Sequence, residues 1–332
     1  MAIAEDLQSC WYGDRAPPWW TRPLAVLYGG VTALRRGMYR HGWLRSKQLP
    51  VPVIVVGNII AGGAGKTPLA IALVEALRAR GFKPGVVSRG YGGSAHAPML
   101  LDAQPDPAKV GDEPALIRMR TCAPLAIGAK RVEAARLLLR EHVDVIIADD
   151  GLQHYALARD VEICVIDGVR RSGNGRLLPA GPLREPASRL REVDFVVCNG
   201  GVAYGGEVAM QLELSNAVAV AEPARMLPLM AFSGKRVHAI AGIGHPPRFF
   251  DALRAFDIEA IERAFPDHHR YTPADLDFGD GLPLLMTEKD AVKCRAFAME
   301  NAWAVPVTAE LPASFFDAVA ARLKHVAGPR PR

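Results

Sequence analysis

The segment AGGAGKT (61–67) carries the most direct chemical signal in the chain. Glycine has no Cβ, so a loop of Gly62, Gly63, Ala64 and Gly65 can curl backbone N–H groups around phosphate oxygens without clashes. Lys66 is then placed to reach the β/γ-phosphates, and the Thr67 hydroxyl to ligate Mg²⁺. The strict pattern for such loops has another Gly five positions before Gly65. Ile60 stands there, so the loop is a variant, with Gly62 and Gly63 supplying the flexibility. The flanks support this reading. VPVIVVGN (51–58) is a β-branched apolar run typical of a buried strand, and Pro68–Arg80 spaces Leu69, Ile71, Leu73, Val74 and Leu77 as a helix does. Strand, glycine turn and helix in that order set the loop at a helix N-terminus, where the dipole favours an anion.

VDVIIADDG (143–151) is a second signal, an apolar strand ending in two carboxylates. Nucleotide-binding α/β folds hold the Mg²⁺ shell with an acid at such a strand end. Asp149 and Asp150 are adjacent, and a straight strand sends them to opposite faces, so which one meets the metal stays open. GDEP (111–114) puts Asp112 and Glu113 between a loop and a helix start. That position suits capping, and it also suits Asp112 accepting the proton of a phosphoryl-acceptor hydroxyl. PDHHR (266–270) supplies His268 and His269, adjacent and without metal-ligand spacing. They read as a solvated polar loop or as an orienting partner for a carboxylate across a cleft. The basic GVRRSGNGRLLPAGPLREP (168–186) offers Arg170, Arg171, Arg176 and Arg184 as phosphate clamps, or is a surface loop.

The elements that must position these groups alternate. Strands are expected at 84–93, 123–128, 143–151, 161–167 and 194–200, with helices at 113–120 and 131–141, which indicates a parallel α/β sheet. Beyond residue 228 a smaller α/β pattern begins, with strands at 235–244, 283–290 and 301–311 and helices at 247–256 and 313–325. The stretch 200–223 is expected to connect the two. The division is therefore 1–48, an N-terminal helical segment; 49–228, the domain of the glycine loop; and 229–326, a smaller C-terminal domain. The terminal GPRPR is expected to fray.

Residues 1–50 differ from the rest. They hold Trp11, Trp19, Trp20 and Trp43, four of the five tryptophans, and seven basic residues against three acids. Leu24, Leu27, Tyr28, Val31, Leu34 and Met38 recur at helical spacing, with Arg35, Arg36 and Arg40 near the C-terminal end. Tryptophan favours the headgroup level of a bilayer and arginine is drawn to anionic lipid, so an amphipathic helix lying on a membrane is expected. No run of 18 apolar residues is present, and the start lacks the basic region of a secretory signal. The chain has 332 residues, half of them hydrophobic, which excludes a disordered or collagen-like protein. A formal charge of +5 favours an anionic partner. The five cysteines are scattered and form no CxxC pair, which argues for a reducing compartment and against a disulfide framework or zinc site.

Taken in order, GNIIAGGAGKTP (57–68), SRGYGG (88–93), VGDEP (110–114), DDGLQH (149–154), DGVRRSGNGRLLPAGPLREP (167–186), AGIGHPPRFF (241–250), FPDHHRYT (265–272) and TEKDAVK (287–293) resemble the tetraacyldisaccharide 4′-kinase (lipid A 4′-kinase) family. The resemblance covers most of the chain beyond residue 50, and the Ile60 variant fits it. It implies a P-loop NTPase-like parallel sheet domain with a second, smaller α/β domain. It implies an ATP- and Mg²⁺-dependent kinase that phosphorylates the 4′-hydroxyl of a tetraacylated glucosamine disaccharide 1-phosphate, giving lipid IVA. It implies work at the cytoplasmic face of the bacterial inner membrane. Carried over, Lys66 and Thr67 bind the phosphates and Mg²⁺, and Asp149 and Asp150 are metal-side acids. Asp112 matches the base and His268, rather than His269, its partner. Arg131, Arg184 and Glu185 match polar positions near the nucleotide or acceptor. No nucleic-acid motif and no obligate protein partner is evident. A membrane-associated ATPase switch of the partitioning type is the alternative; such proteins usually carry Lys where Ala61 stands, which argues against it.

Overall fold

Every residue of the strand Val53–Gly57 (β1) is buried. A strand apolar on both faces belongs inside a sheet covered on both sides, and β1 lies within a nine-stranded sheet. The structure, a computed structural model, describes residues 9–297 and 299–326. The strands after β1 are Pro84–Ser88 (β2), Met99–Leu100 (β3), Leu125–Ile127 (β4), Val145–Asp149 (β5), Val161–Asp167 (β6), Phe195–Asn199 (β7) and Glu207–Leu214 (β8). Then come Asn216–Ala219 (β9), Met226–Pro228 (β10), Arg236–Ala241 (β11), Glu259–Ala264 (β12), Leu284–Thr287 (β13), Ala302–Val305 (β14) and Val307–Glu310 (β15). The main helices are Thr21–Arg40 (α1), Lys66–Ala79 (α2), Asp112–Thr121 (α3), Arg131–Leu138 (α4), Pro246–Arg254 (α5), Glu288–Cys294 (α6) and Ala313–Val326 (α7).

The large sheet runs β15-β8-β7-β6-β1-β5-β2-β4-β3 and the smaller one β10-β9-β14-β13-β11-β12. β1 pairs in parallel with β5 on one side and β6 on the other. The chain therefore changes direction across the sheet at β1, and ligands of open α/β sheets bind beyond the carboxyl ends of strands at such a switch point. The glycine loop follows β1 directly. α2 starts at Lys66 and anchors the loop by burying Leu69, Ile71, Leu73, Val74 and Leu77.

Three expectations change. The run 301–311 is two strands, because Pro306 has no N–H for a ladder: β14 pairs with β13 in the small sheet, and β15 pairs with β8 in the large one. The run 283–290 is a strand only to Thr287. Its hydroxyl accepts from the backbone N of Asp290 at 3.2 Å and caps α6. The division at 228/229 also shifts. β9 and β10 already belong to the small sheet, whereas β15 and α7 return to the large one, where Phe315, Val319 and Leu323 join its core. The strand β12 was not anticipated. The terminal GPRPR, the expectation of fraying there and the first residues of the chain lie outside the described residues.

α1 contacts the body through Thr21, Ala25 and Tyr28, whose hydroxyl donates to Arg184 O at 3.1 Å. Tyr28 therefore belongs to the inner face rather than the apolar stripe. Leu24, Val26, Leu27, Val31 and Leu34 are exposed, as are Trp19, Trp20 and Trp43 at the two ends. Trp11 turns inward and donates to Pro179 O at 3.0 Å. Two of the arginines expected to face lipid hold the helix down instead: Arg36 pairs with Glu192, and Arg35 donates to Gln153 O at 3.3 Å. Among the described residues no helix is long and apolar enough to cross a membrane.

Candidate functional site

Gly65 takes φ +92° at the N-cap of α2, the left-handed region that glycine enters without a Cβ penalty. A Cβ there would lie 2.3 Å from Asn199 Nδ2, so the side chain at the end of β7 packs directly on the loop. Lys66 Nζ sits 2.8 Å from Asp150 Oδ1 and donates to Asn58 Oδ1 at 3.1 Å. The lysine is thus held at the carboxyl ends of β1 and β5 by one carboxylate and one amide.

Asp149 ends β5 directly beside β1, paired with Val56, and is 1% exposed. Its Oδ2 accepts from Ser88 Oγ at 3.3 Å, while Oδ1 is buried with no protein partner. Burial, with the Glu113 and Asp150 carboxylates nearby, pushes its carboxyl up to about 7. Asp150 has φ +48°, so the strand breaks there and the two acids need not point to opposite faces. It turns to Lys66 and to Arg184 Nη1, 3.4 Å away. Burial would raise Asp150, but these two cations outweigh it and hold the carboxyl below its usual range.

Arg131 is buried, donates to Gly128 O at 3.0 Å and leaves its Nε without a protein partner. Burial first, and then Arg89, lower it to about 10 against the opposing pull of Asp150 and Asp149. Glu185, expected near the nucleotide or acceptor, is held by protein groups. It is buried, and its oxygens accept from Gln153 Nε2 at 2.8 Å and Tyr155 OH at 2.6 Å, with Arg189 Nε at 3.5 Å. It braces the loop from behind, because the same Gln153 Nε2 also donates to Asn58 O at 3.0 Å.

Asp112 opens α3 after Gly111, whose φ of +94° turns the chain into the helix. Its Oδ2 lies 3.0 Å from His268 Nδ1, in the loop after β12 of the small-sheet unit. His268 is the histidine brought to Asp112. His269 lies on Phe265, with ring centroids 4.6 Å apart, and 3.4 Å from Asp275. Lys293 Nζ is 3.8 Å from Asp112, and Lys289 Nζ is 3.2 Å from Glu113 and 3.1 Å from Asp267. Burial would raise Asp112; the His268 hydrogen bond and the two ammonium groups outweigh it and hold the carboxyl below its usual range. The small-sheet unit closes over the loop, because a Cβ on Gly244 would lie 3.6 Å from Gly63 N.

A phosphate-type loop, a cation beside an acid pair, and a carboxylate–histidine pair joining two α/β units now stand together. Residues 17–324 match the family model of tetraacyldisaccharide-1-P 4′-kinase. The chain belongs to the tetraacyldisaccharide 4′-kinase family. It is 55% identical over 323 residues to a tetraacyldisaccharide 4′-kinase of Stenotrophomonas maltophilia, covering 94% of this chain and 95% of that one. It is 50% identical over 329 residues to the Aeromonas salmonicida enzyme, covering 98% of each. The LpxK crystal structure from Aquifex aeolicus in complex with ATP superposes with a TM-score of 0.77 at 27% identity, covering 91% of this chain and 98% of that chain.

In this kinase several contacts of the site had no role assigned from sequence. Lys289 and Lys293 stand four apart on α6 and face Asp112 and Glu113 together; their spacing within TEKDAVK was the available signal. Asn58, Ser88 and Asn199 are ordinary polar residues at strand ends, and only the parallel sheet brings them to one edge.

Proposed function

We infer that this kinase moves the γ-phosphoryl group of ATP to the 4′-hydroxyl of a tetraacylated glucosamine disaccharide 1-phosphate, giving lipid IVA. The observation that carries the reading is the His268 Nδ1–Asp112 Oδ2 hydrogen bond of 3.0 Å, made across two units beside the lysine of a phosphate-binding loop. Asp112 is ionised at neutral pH, because its neighbours hold its pKa low. A carboxylate of low pKa is a weak base, so it accepts the hydroxyl proton as the oxygen–phosphorus bond forms. That suits the loose transition state of phosphoryl transfer. His268 orients the carboxylate. Lys66 exchanges its contact with Asp150 for the phosphates, and with Arg184 it offsets charge on the transferred group. The backbone of Gly62, Gly63, Ala64 and Gly65 cradles the phosphates.

The donor set fits Mg²⁺, a hard cation that binds one or two carboxylates along with phosphate oxygens and water. Asp149 offers a buried, unpartnered oxygen beside the loop, and Asp150 and the Thr67 hydroxyl complete the protein's share. The metal supplies neutralisation of phosphate charge when bound.

The acceptor carries acyl chains, so the enzyme works at the cytoplasmic face of the inner membrane. Exposed Leu24, Val26, Leu27, Val31 and Leu34 on α1, framed by three exposed tryptophans, suit insertion into the interface. Mass spectrometry of the lipid after incubation with Mg²⁺-ATP tests the reaction. One added phosphate on the distal sugar is expected; release of inorganic phosphate alone would sink the reading.

A further inference from the structure

Three successive carbonyls of the glycine loop are each bound by a different side chain. Asn58 Nδ2 donates to Gly62 O at 3.1 Å, Arg170 Nη2 to Gly63 O at 2.7 Å, and Asn199 Nδ2 to Ala64 O at 2.9 Å. The three donors stem from the carboxyl ends of β1, β6 and β7, which lie side by side in the sheet. We propose that Asn58, Arg170 and Asn199 form a carbonyl clamp that holds the loop in its phosphate-binding form, which makes them positioning residues for the transfer.

In a trans peptide the C=O and the following N–H point in opposite directions. Holding the carbonyls of 62, 63 and 64 therefore fixes the directions of the N–H groups of Gly63, Ala64 and Gly65, each opposite to its own carbonyl. Among the described residues nothing accepts from those three N–H groups. A loop with three glycines has many conformations open to it, and each must be given up when phosphate binds. A clamp that selects one conformation beforehand removes that cost from the binding step.

Each clamp is itself held. Asn58 Oδ1 accepts from Lys66. Arg170 Nε donates to Asp167 Oδ2 at 2.9 Å, and Asp167 Oδ1 accepts from the backbone N of Val169 and Arg170 at 3.0 and 2.8 Å. Asn199 Oδ1 accepts from Arg248 Nη2 at 2.9 Å. Arginine has only donors, so this bond sets the amide the right way round, with oxygen to Arg248 and nitrogen to Ala64. Arg248 lies on α5, so the small-sheet unit reaches the loop through Asn199.

The inference rests on the reading that the loop grips the phosphates of ATP, and the test separates the two. Asn199→Asp keeps the shape and the acceptor for Arg248 but sets an oxygen against Ala64 O. The neutral Asn199→Leu removes the donor without adding charge. Both are expected to weaken ATP by about tenfold in KM and in calorimetric Kd, about 1.4 kcal/mol. The KM for the lipid acceptor should stay unchanged. Arg170→Ala should do the same, and Arg170→Lys should recover part of the loss. A drop in melting temperature with both KM values intact would mean a merely structural role and overturn the proposal. Loss confined to Asn199→Asp would mean charge repulsion, and would overturn it too. Lys66→Met is the control. If it loses ATP while the clamp variants do not, the clamp falls and the loop reading stands. If it binds ATP as the wild type does, the loop reading falls and takes the clamp with it.

Discussion

His268 and His269 are chain neighbours, yet only His268 reaches Asp112, so replacing each one separates catalysis from packing. The perturbation is His268→Ala against His269→Ala. The lost contact is a hydrogen bond to an ionised carboxylate at 3.0 Å, and such bonds contribute about 1.5–3 kcal/mol. The side chains of His268 and Asp112 are 27% and 12% exposed, so water can replace part of the contact, and we take about 2 kcal/mol. At about 1.36 kcal/mol per tenfold in rate, that is roughly a 30-fold fall in kcat. Asp112→Asn, which removes the proposed base, should fall further, by about 10²–10⁴. His269→Ala should stay within about threefold in kcat, because its partners are Phe265 and Asp275. His268 has φ +61°, a region Asn tolerates better than most residues. His268→Asn keeps an amide near the Nδ1 position and should recover part of the rate. The assay is transfer of labelled phosphate from ATP to the acylated disaccharide in mixed micelles, with KM for each substrate. Equal losses for the two histidine variants, or a wild-type kcat for His268→Ala, would refute the assignment.

Three further outcomes are expected. Lys66→Ala should cut turnover by orders of magnitude while leaving the melting temperature near the wild-type value; activity within tenfold would remove Lys66 from the chemistry. Leu27→Glu and Leu34→Glu alter side chains 64% and 63% exposed, so they should leave the fold intact yet reduce sedimentation with anionic vesicles. Unchanged sedimentation would dismiss the interfacial role of α1. Burial, together with the Arg131, Arg159 and Arg35 guanidiniums, lowers His154 to about 4. The unfolded chain therefore takes up this proton first, near pH 6.5. The neutral imidazole's contribution to stability is full above that pH and is lost as pH falls toward 4. A His154→Asn variant should show a flatter melting temperature between pH 6.5 and 4, and a slope equal to the wild type would contradict the shift.

How far the site could be read depended on the range of the interactions that define it. The AGGAGKT loop was legible because strand, turn and helix are local, and the β-branched run before it and the spaced apolar residues after it each report on a few neighbours. Asp149 and Asp150 were legible as a pair, but not in their division of roles. A straight strand sends them to opposite faces; the positive φ of Asp150 turns it to Lys66 and Arg184 and leaves Asp149 buried with a spare oxygen. Glu185 was legible as a charged residue in a suggestive motif, and its direction was not. Only the packed fold shows that Tyr155, Gln153 and Arg189 take up its oxygens.

By itself, the order of residues determined the α/β class, the phosphate-type loop and the candidate acids, because hydrophobic period and turn chemistry act over a few residues. Tertiary structure alone decided which sheet each side of Pro306 joins, that His268 and not His269 meets Asp112, and that Arg170 and Asn199 reach the loop carbonyls from two other strand ends. These depend on contacts between residues far apart in the chain, where strand order and the side each loop leaves from choose the partner, and no local pattern records that choice.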